Sequence, residues 1–306
     1  RGEGRRKRPE RKAIMNGTLS GRRCLVTGGA GFIGHHLTQR LLADGCKSIV
    51  MDAKGGENLL KMEGSKLSRL IKECDTVYHL AAHPDVRLAD PRAYEGDVLA
   101  TLQLLEAARG GDTTLAYTSS STVYGNASSL PTPESYPLVP ISLYGASKMA
   151  CEGLISAYCH TYGLNSVIYR LANIVGPGCH GVIPEFYQRL RRNPHVLEVL
   201  GDGTQLKSYC YVSDCVEALL VGLGSGGIYN VGSEDAISVK KVADIISEEM
   251  GVSPSYRFKG DKGEGWPGDV RRSWMSIDKL KGLGWTPKHD SEGAVRQTVR
   301  ALMDKG

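Results

Sequence analysis

One stretch, Arg23-Cys-Leu-Val-Thr-Gly-Gly-Ala-Gly-Phe-Ile-Gly34, constrains this chain more than any other. Cys24 to Thr27 is a short apolar run with β-branched residues, as a central strand of a parallel sheet requires. Gly28, Gly31 and Gly34 follow at intervals of three, and Phe32 to Leu42 places Ile33, Leu37, Leu41 and Leu42 at helical spacing. The pattern predicts strand, tight turn and helix in immediate succession. Such a turn suits a pyrophosphate, because glycine lets the backbone approach the ligand and the helix start offers free N–H groups with partial positive charge. A second apolar strand, Ser48 to Met51, ends at Asp52, eighteen residues after Gly34. A carboxylate there accepts the two ribose hydroxyls of NAD. Strand, turn, helix and acid in this order point to a bound dinucleotide rather than to a tight turn alone.

The rest of the composition narrows the class. The 306 residues, 41% of them hydrophobic, suffice for one large α/β domain or for a cofactor domain with a smaller lobe. No apolar run approaches the ~20 residues that span a bilayer, and no apolar segment of a secretory signal follows the basic N-terminus. The net charge of +5 is carried by residues 1–12, which hold seven Lys or Arg and two Glu; the remainder has 31 basic and 31 acidic residues. The body is therefore neutral, and nucleic acid is not an expected partner. Residues 1–20 read as a basic, disordered tail. The eight cysteines (24, 46, 74, 151, 159, 179, 210 and 215) form no CxxC pair and no zinc-like cluster. They read as small core residues of a reducing compartment, the cytoplasm.

Strands and helices alternate through the first half. Asp75 to Leu80 reads as a third strand, and about Asp90 to Arg109 as a helix with Leu99, Leu102, Leu105 and Ala108 on one face. Thr114 to Ser119 reads as the next strand, about Tyr144 to Tyr162 as a long helix, and Asn165 to Arg170 as another strand. Repeated β-α units predict an α/β protein with a Rossmann-type, doubly wound parallel sheet, its ligands at the carboxyl ends of the strands. A further strand is expected between Asp52 and Val77, to build the adenine pocket. The division expected is a dinucleotide-binding domain over 21–175 and a mainly substrate-binding lobe over 176–306, with segments that return to the sheet.

Two stretches carry chemistry. In Tyr144-Gly-Ala-Ser-Lys148 the tyrosine and lysine lie four apart, on one face of a helix. A free tyrosine has a pKa near ~10, and a neighbouring ammonium stabilises its phenolate, making it a usable base. Ser119-Ser-Ser-Thr-Val-Tyr-Gly125 continues from a strand end and supplies a hydroxyl able to relay a proton to that tyrosine.

Together with His79-Leu-Ala-Ala82, Arg170-Leu-Ala-Asn173, Gly201-Asp-Gly-Thr-Gln205, Tyr211-Val-Ser-Asp214 and Tyr229-Asn-Val-Gly232, these motifs occur in order over about residues 22–302. They resemble the extended short-chain dehydrogenase/reductase superfamily, in its NAD-dependent nucleotide-sugar epimerase/dehydratase branch. The resemblance implies NAD as cofactor, a UDP-hexose as substrate, and 4-epimerisation of UDP-glucose and UDP-galactose through a transient 4-keto sugar, in a homodimer. It implies that Gly28, Gly31, Phe32, Ile33 and Asp52 bind the adenosine and pyrophosphate half of NAD, and that Leu80, Ala81 and Ala82 line the cofactor. Ser120, five before Gly125, takes the place of the catalytic hydroxyl, and Tyr144 and Lys148 complete the triad while holding the nicotinamide ribose. Arg87, Asn173, Val182, Lys207, Tyr209 and Arg271 or Arg272 fall in segments that hold the sugar nucleotide.

Dehydratases of the branch follow the catalytic hydroxyl with Asp-Glu, and decarboxylases place a Glu in the second position. Here Ser121 and Thr122 stand there, neither a carboxylic acid, which favours plain epimerisation. Three departures concern other contacts: Lys207 replaces an Arg, Trp266 stands where an Arg precedes Pro-Gly-Asp269, and Asp97 stands where Asn is usual. Separately, the resemblance links the position of Ser273, a small residue, with room around the sugar's 2-substituent, so that N-acetylated sugars are also expected to fit. A UDP-glucuronate 4-epimerase carries the same triad, another nucleotide-sugar oxidoreductase would consume or produce reduced cofactor, and a non-catalytic NAD sensor would need no triad at all.

Overall fold

The computed structural model describes residues 19–56, 58–260 and 264–304, so the basic tail falls almost wholly outside the described residues. Six parallel strands form the main sheet. In chain order its first half runs β1 (Arg23–Thr27), α1 (Phe32–Ala43), β2 (Lys47–Met51), α2 (Gly64–Lys72), β3 (Thr76–His79), α3 (Glu95–Ala108), β4 (Thr114–Ser120), α4 (Leu143–Tyr162) and β5 (Asn165–Leu171). The second half holds β6 (Asn173–Val175), α5 (Val182–Arg192), β7 (Val196–Leu200), β8 (Leu206–Lys207), β9 (Tyr209–Tyr211), α6 (Val212–Val221) and β10 (Gly227–Val231). It ends with β11 (Ile237–Ser238), α7 (Val239–Glu249), β12 (Ser255–Lys259), β13 (Arg272–Ser273), α8 (Asp278–Lys281) and α9 (Ser291–Met303).

The sheet order is β10-β5-β4-β3-β1-β2. The chain leaves β1 toward β2, then crosses back to β3 on the other side, so β1 and β3 flank the point where winding reverses. In a doubly wound sheet this is where a ligand finds a crevice. Successive strand residues face opposite layers. Cys24, Val26, Tyr78 and Ala116 join a core with α1, α6 and α8, while Leu25, Val77, Leu115 and Tyr117 join one with α2, α3 and α4. A third core, built from α5, α7, α9 and β7, belongs to the second half, whose β10 nevertheless completes the main sheet.

Two expectations are corrected. Among the described residues no strand lies between Asp52 and Thr76; two 3-10 turns, Ala53–Gly55 and Leu59–Lys61, precede α2. Residues 53–63 contain adjacent glycines and no β-branched residue, so β2 remains an edge strand. The inner face of α3 is also rotated from the one expected. Ala100, Thr101, Leu104 and Leu105 are buried, whereas Leu99 and Leu102 are 48% and 36% exposed.

Candidate active site

The cofactor cradle is built largely from backbone. Gly28 closes β1 with φ of +70°, and a Cβ on it would lie 2.7 Å from the Ala81 nitrogen, so the turn and the Leu80–Ala82 segment meet only because this residue is glycine. Gly31 caps α1 with no side chain bonded to its first turn, and Phe32 and Ile33 are the first helical residues. The start of α1 thus presents N–H groups and the positive end of its dipole to the crevice. At the end of β2, Asp52 Oδ2 accepts from the Ala30 N–H at 3.0 Å and Oδ1 from the Lys54 N–H at 2.9 Å, which sets a carboxylate beside the glycine turn. Leu80, Ala81 and Ala82 follow β3 on the opposite rim, half-buried. A small-residue turn, an uncapped helix start and an adjacent carboxylate fit the pyrophosphate and adenosine ribose of NAD.

Beneath the cradle the His79 ring is 1% exposed. Its Nδ1 lies 2.8 Å from Thr27 Oγ1, and its Nε2 lies 3.0 Å from Thr101 Oγ1, which itself donates to the Asp97 carbonyl. Thr101 therefore accepts, and the ring is neutral with its proton on Nε2. Burial, reinforced by the Lys148 charge, pulls the His79 pKa down to about 3.

The chemistry-bearing groups come from β4 and α4. Ser120 ends β4; its Oγ accepts from the Thr122 N–H at 3.2 Å and the Thr122 hydroxyl at 3.0 Å. Ser142 caps α4 through the Gly145 N–H, so Tyr144 enters in the first turn. A Cβ at Gly145 would lie 2.8 Å from the Thr122 carbonyl oxygen; the glycine of Tyr144-Gly-Ala-Ser-Lys148 is what lets α4 approach the turn after Ser120. Lys148, 3% exposed, donates to the Thr118 carbonyl at 3.0 Å, and its Nζ stands 5.8 Å from the Tyr144 ring centre and 5.0 Å from that of Tyr117. Tyr144 is half-buried, with its edge toward Tyr94 at 6.0 Å. Asp97 Oδ1 accepts from the His83 N–H at 2.8 Å, while its buried Oδ2 has no partner among the described residues. Burial raises its pKa against the opposing pull of Lys148.

The expected sugar-nucleotide contacts fare differently. Asn173 is exposed at the start of β6, its amide donating to the Ser208 carbonyl at 3.0 Å. Val182 begins α5. Arg87 pairs with Asp85 at 3.5 Å and Glu185 at 3.7 Å, linking the loop after β3 to α5. Lys207 donates to Asp269 at 2.7 Å and to the Val270 carbonyl, so it anchors the segment before β13 rather than standing free. Arg271 reaches Asp202 at 3.5 Å and Thr204 at 3.3 Å, and Arg272 is exposed. The Tyr209 side chain is 3% exposed and packs in the second-half core. Ser273 is buried, and its hydroxyl donates to Ser121 Oγ at 3.1 Å.

Sequence reasoning passed over Thr118, whose carbonyl leaves no side-chain signal, and Glu152 with Arg170. The latter pair did leave one: Glu152 falls eight residues after Tyr144 on the same helix face, and Arg170 is a charge inside an apolar strand.

Comparison with known proteins follows the same lines. The model of the NAD dependent epimerase/dehydratase family matches residues 24–232. The putative UDP-glucose 4-epimerase of Methanocaldococcus jannaschii is 33% identical over 301 residues, spanning 90% of this chain and 96% of its own. The crystal structure of a UDP-galactose 4-epimerase superposes with a TM-score of 0.81 at 37% identity, covering 92% of this chain and 99% of that one. A UDP-glucuronic acid 4-epimerase from Bacillus cereus, solved with UDP-glucuronic acid and NAD, superposes with a TM-score of 0.82 at 26% identity, covering 93% of this chain and 100% of that one.

Proposed function

The chain belongs to the NAD-dependent epimerase/dehydratase family, and from that premise we propose that it interconverts UDP-hexoses epimeric at C4, with UDP-glucose and UDP-galactose as the pair. The observation that carries this reading is the approach of α4 to the turn after Ser120, which brings Ser120, Tyr144 and Lys148 to one rim of the cofactor crevice. The residues after Ser120 support epimerisation over elimination or decarboxylation, since Ser121 and Thr122 offer no carboxylic acid to move a second proton.

When bound, NAD supplies a hydride acceptor that returns the hydride within the same turnover. The protein's part is positioning and proton movement. Tyr144, as phenolate, takes the proton from the sugar's 4-hydroxyl and later returns it. Ser120 orients that hydroxyl by hydrogen bonding. The Lys148 ammonium, 5.8 Å from the Tyr144 ring centre, is bonded to the Thr118 carbonyl and positioned toward the nicotinamide ribose. Gly28, Gly31, Phe32, Ile33, Asp52 and Leu80–Ala82 hold the cofactor, and Asn173, Val182, Arg87 and Arg271 or Arg272 border the space for the sugar nucleotide. The small size of Ser273 is compatible with 2-acetamido sugars, which the UDP-GlcNAc arm below tests.

Leu99 and Leu102 are exposed on α3, and Ala150, Gly153 and Ala157 are exposed small residues on the neighbouring α4. This apolar face supports a homodimer formed through the two helices, with light scattering of the pure protein as its check. Eight free thiols support a cytoplasmic location, and among the described residues no helix is long and apolar enough to cross a membrane.

The deciding experiment incubates pure protein separately with UDP-glucose, UDP-GlcNAc and UDP-glucuronate, without added NAD, and follows the sugars by proton NMR. Appearance of UDP-galactose supports the reading, and epimerisation of UDP-glucuronate alone moves the substrate to the uronic acid. Unchanged sugars even after NAD is added overturn it. Tyr144→Phe lowers the rate by about 10²–10⁴-fold, as loss of a general base does; normal turnover by that variant would defeat the mechanism.

A further inference from the structure

Between the helix and the strand that carry the triad lies a buried set of charges that the proposed mechanism does not use. Glu152 sits one turn beyond Lys148 and two beyond Tyr144 on α4, and is 4% exposed. Its Oε1 accepts from the Ser119 hydroxyl at 2.5 Å, and Ser119 is the residue before Ser120. Arg170 on β5, 3% exposed, grips the same carboxylate through Nε at 3.0 and 3.2 Å and through Nη2 at 2.7 Å. Its Nη1 donates to the Tyr124 hydroxyl at 2.9 Å and to the Glu134 carbonyl at 3.0 Å. Tyr124, in the turn that follows Ser120, donates in turn to Asn230 Oδ1 at 2.7 Å. Asn230 closes the set by donating to the Thr132 and Ser276 carbonyls. β4, its following turn, α4, β5 and the end of β10 are thus tied through one carboxylate and one guanidinium.

A buried ion pair is weak evidence of stability, because desolvation offsets most of the attraction and well-packed apolar residues often serve as well. What such a pair does supply is geometry, since a forked guanidinium–carboxylate contact fixes direction as well as distance. Here both ends of the contact lead to the catalytic elements. Ser119 is bonded on one side of Ser120 and Tyr124 on the other, while Glu152 shares the helix face of Tyr144 and Lys148.

We propose that Ser119, Glu152 and Arg170 are positioning residues that hold the Ser120 hydroxyl in register with Tyr144 and Lys148 during proton transfer at the sugar's 4-oxygen. The inference rests on the triad reading given above. Ser119→Ala is the informative variant, because it removes the tie to β4 and leaves the Glu152–Arg170 pair intact. A misplacement of the reacting groups by about an ångström lowers rates by up to about a hundredfold. Ser119→Ala is therefore expected to lower kcat by about ten- to a hundredfold, with KM for the sugar nucleotide, bound NAD per chain and melting temperature close to those of the parent.

The same change made in a Ser120→Ala background should add little, because a residue acting through Ser120 has nothing left to place. A kcat within twofold of the parent, or an equal loss in both backgrounds, overturns the inference; so does a variant whose rate falls only in step with lost NAD or lost folded protein. A parent protein that leaves every sugar unchanged overturns the triad reading and this inference with it. An active parent with an unaffected Ser119→Ala variant overturns the inference alone.

Discussion

The two rims of the crevice recognise their ligands in different ways. At the expected cofactor cradle the groups are mainly backbone, namely the turn at Gly28, the start of α1 and, on the opposite rim, the Leu80–Ala82 segment, with the Asp52 carboxylate beside the turn. At the expected sugar-nucleotide contacts long side chains predominate, and three of their cations already have acids beside them: Lys207 with Asp269, Arg271 with Asp202, and Arg87 with Asp85 and Glu185. Backbone recognition is committed by chain geometry before any ligand arrives. Side-chain recognition is a competition between a ligand and internal partners, and only the tertiary fold brings those partners in.

The sharpest way to break the contrast is Gly28→Ala. An alanine at φ of +70° is strained, and its Cβ would press on the Ala81 nitrogen at 2.7 Å. Bound NAD should fall below detection in protein extracted and assayed by chromatography, with activity down by on the order of a hundredfold. Full NAD content in that variant would show that the cradle does not depend on the turn.

A second test reaches the hydroxyl pair that ties the cradle to α3. The His79 pKa is lowered to about 3 from an ordinary value of 6.5, so the unfolded chain binds a proton in that interval that the folded chain refuses. Stability from this group is complete above pH 6.5 and is lost as pH falls toward 3, at up to about 1.4 kcal/mol per pH unit. Urea titrations of the parent at pH 7, 5.5 and 4 should show this acid limb, and His79→Gln should flatten it.

On the other rim, Lys207→Ala leaves the Asp269 carboxylate, 11% exposed, without its cation. The expected outcome is a loss of about 1–3 kcal/mol by denaturant unfolding, the range for hydrogen bonds to charged groups, together with a raised KM and unchanged NAD content. Loss of NAD instead would mean that the two rims are not independent. Arg271→Ala should do least. Its partners are at 3.3 and 3.5 Å and it is exposed, so a rise in KM of about two- to fivefold with kcat unchanged is expected, as for surface charges worth up to about 1 kcal/mol.

The same contrast explains what could be read in advance. The strands, the helices and the register of Gly28, Asp52, Ser120, Tyr144 and Lys148 were legible, because a period of two or three to four residues is local and the motif glycines mark where backbones meet. Among the described residues the expected strand after Asp52 is absent, and the polar, glycine-containing segment forms turns instead. The face of α3 was misread because Leu99 and Leu102 fit the helical period yet point outward, a choice made by what packs against the helix rather than by the helix. The internal surroundings of Tyr209 and Lys207 were not legible, because one side chain turns into a core and the other meets an acid sixty-two residues away.

Read alone, the sequence settles the order of elements, the glycine turn and which residues are candidates for moving protons, through steric and hydrogen-bonding rules that act over a few residues. Only folding decides the rest: that the Thr118 carbonyl accepts from Lys148, that Glu152 and Arg170 tie the strand of Ser120 to the helix of Tyr144, and which cations meet internal acids. Those outcomes depend on groups far apart in the chain, whose pairing exists only once folding has excluded water from between them.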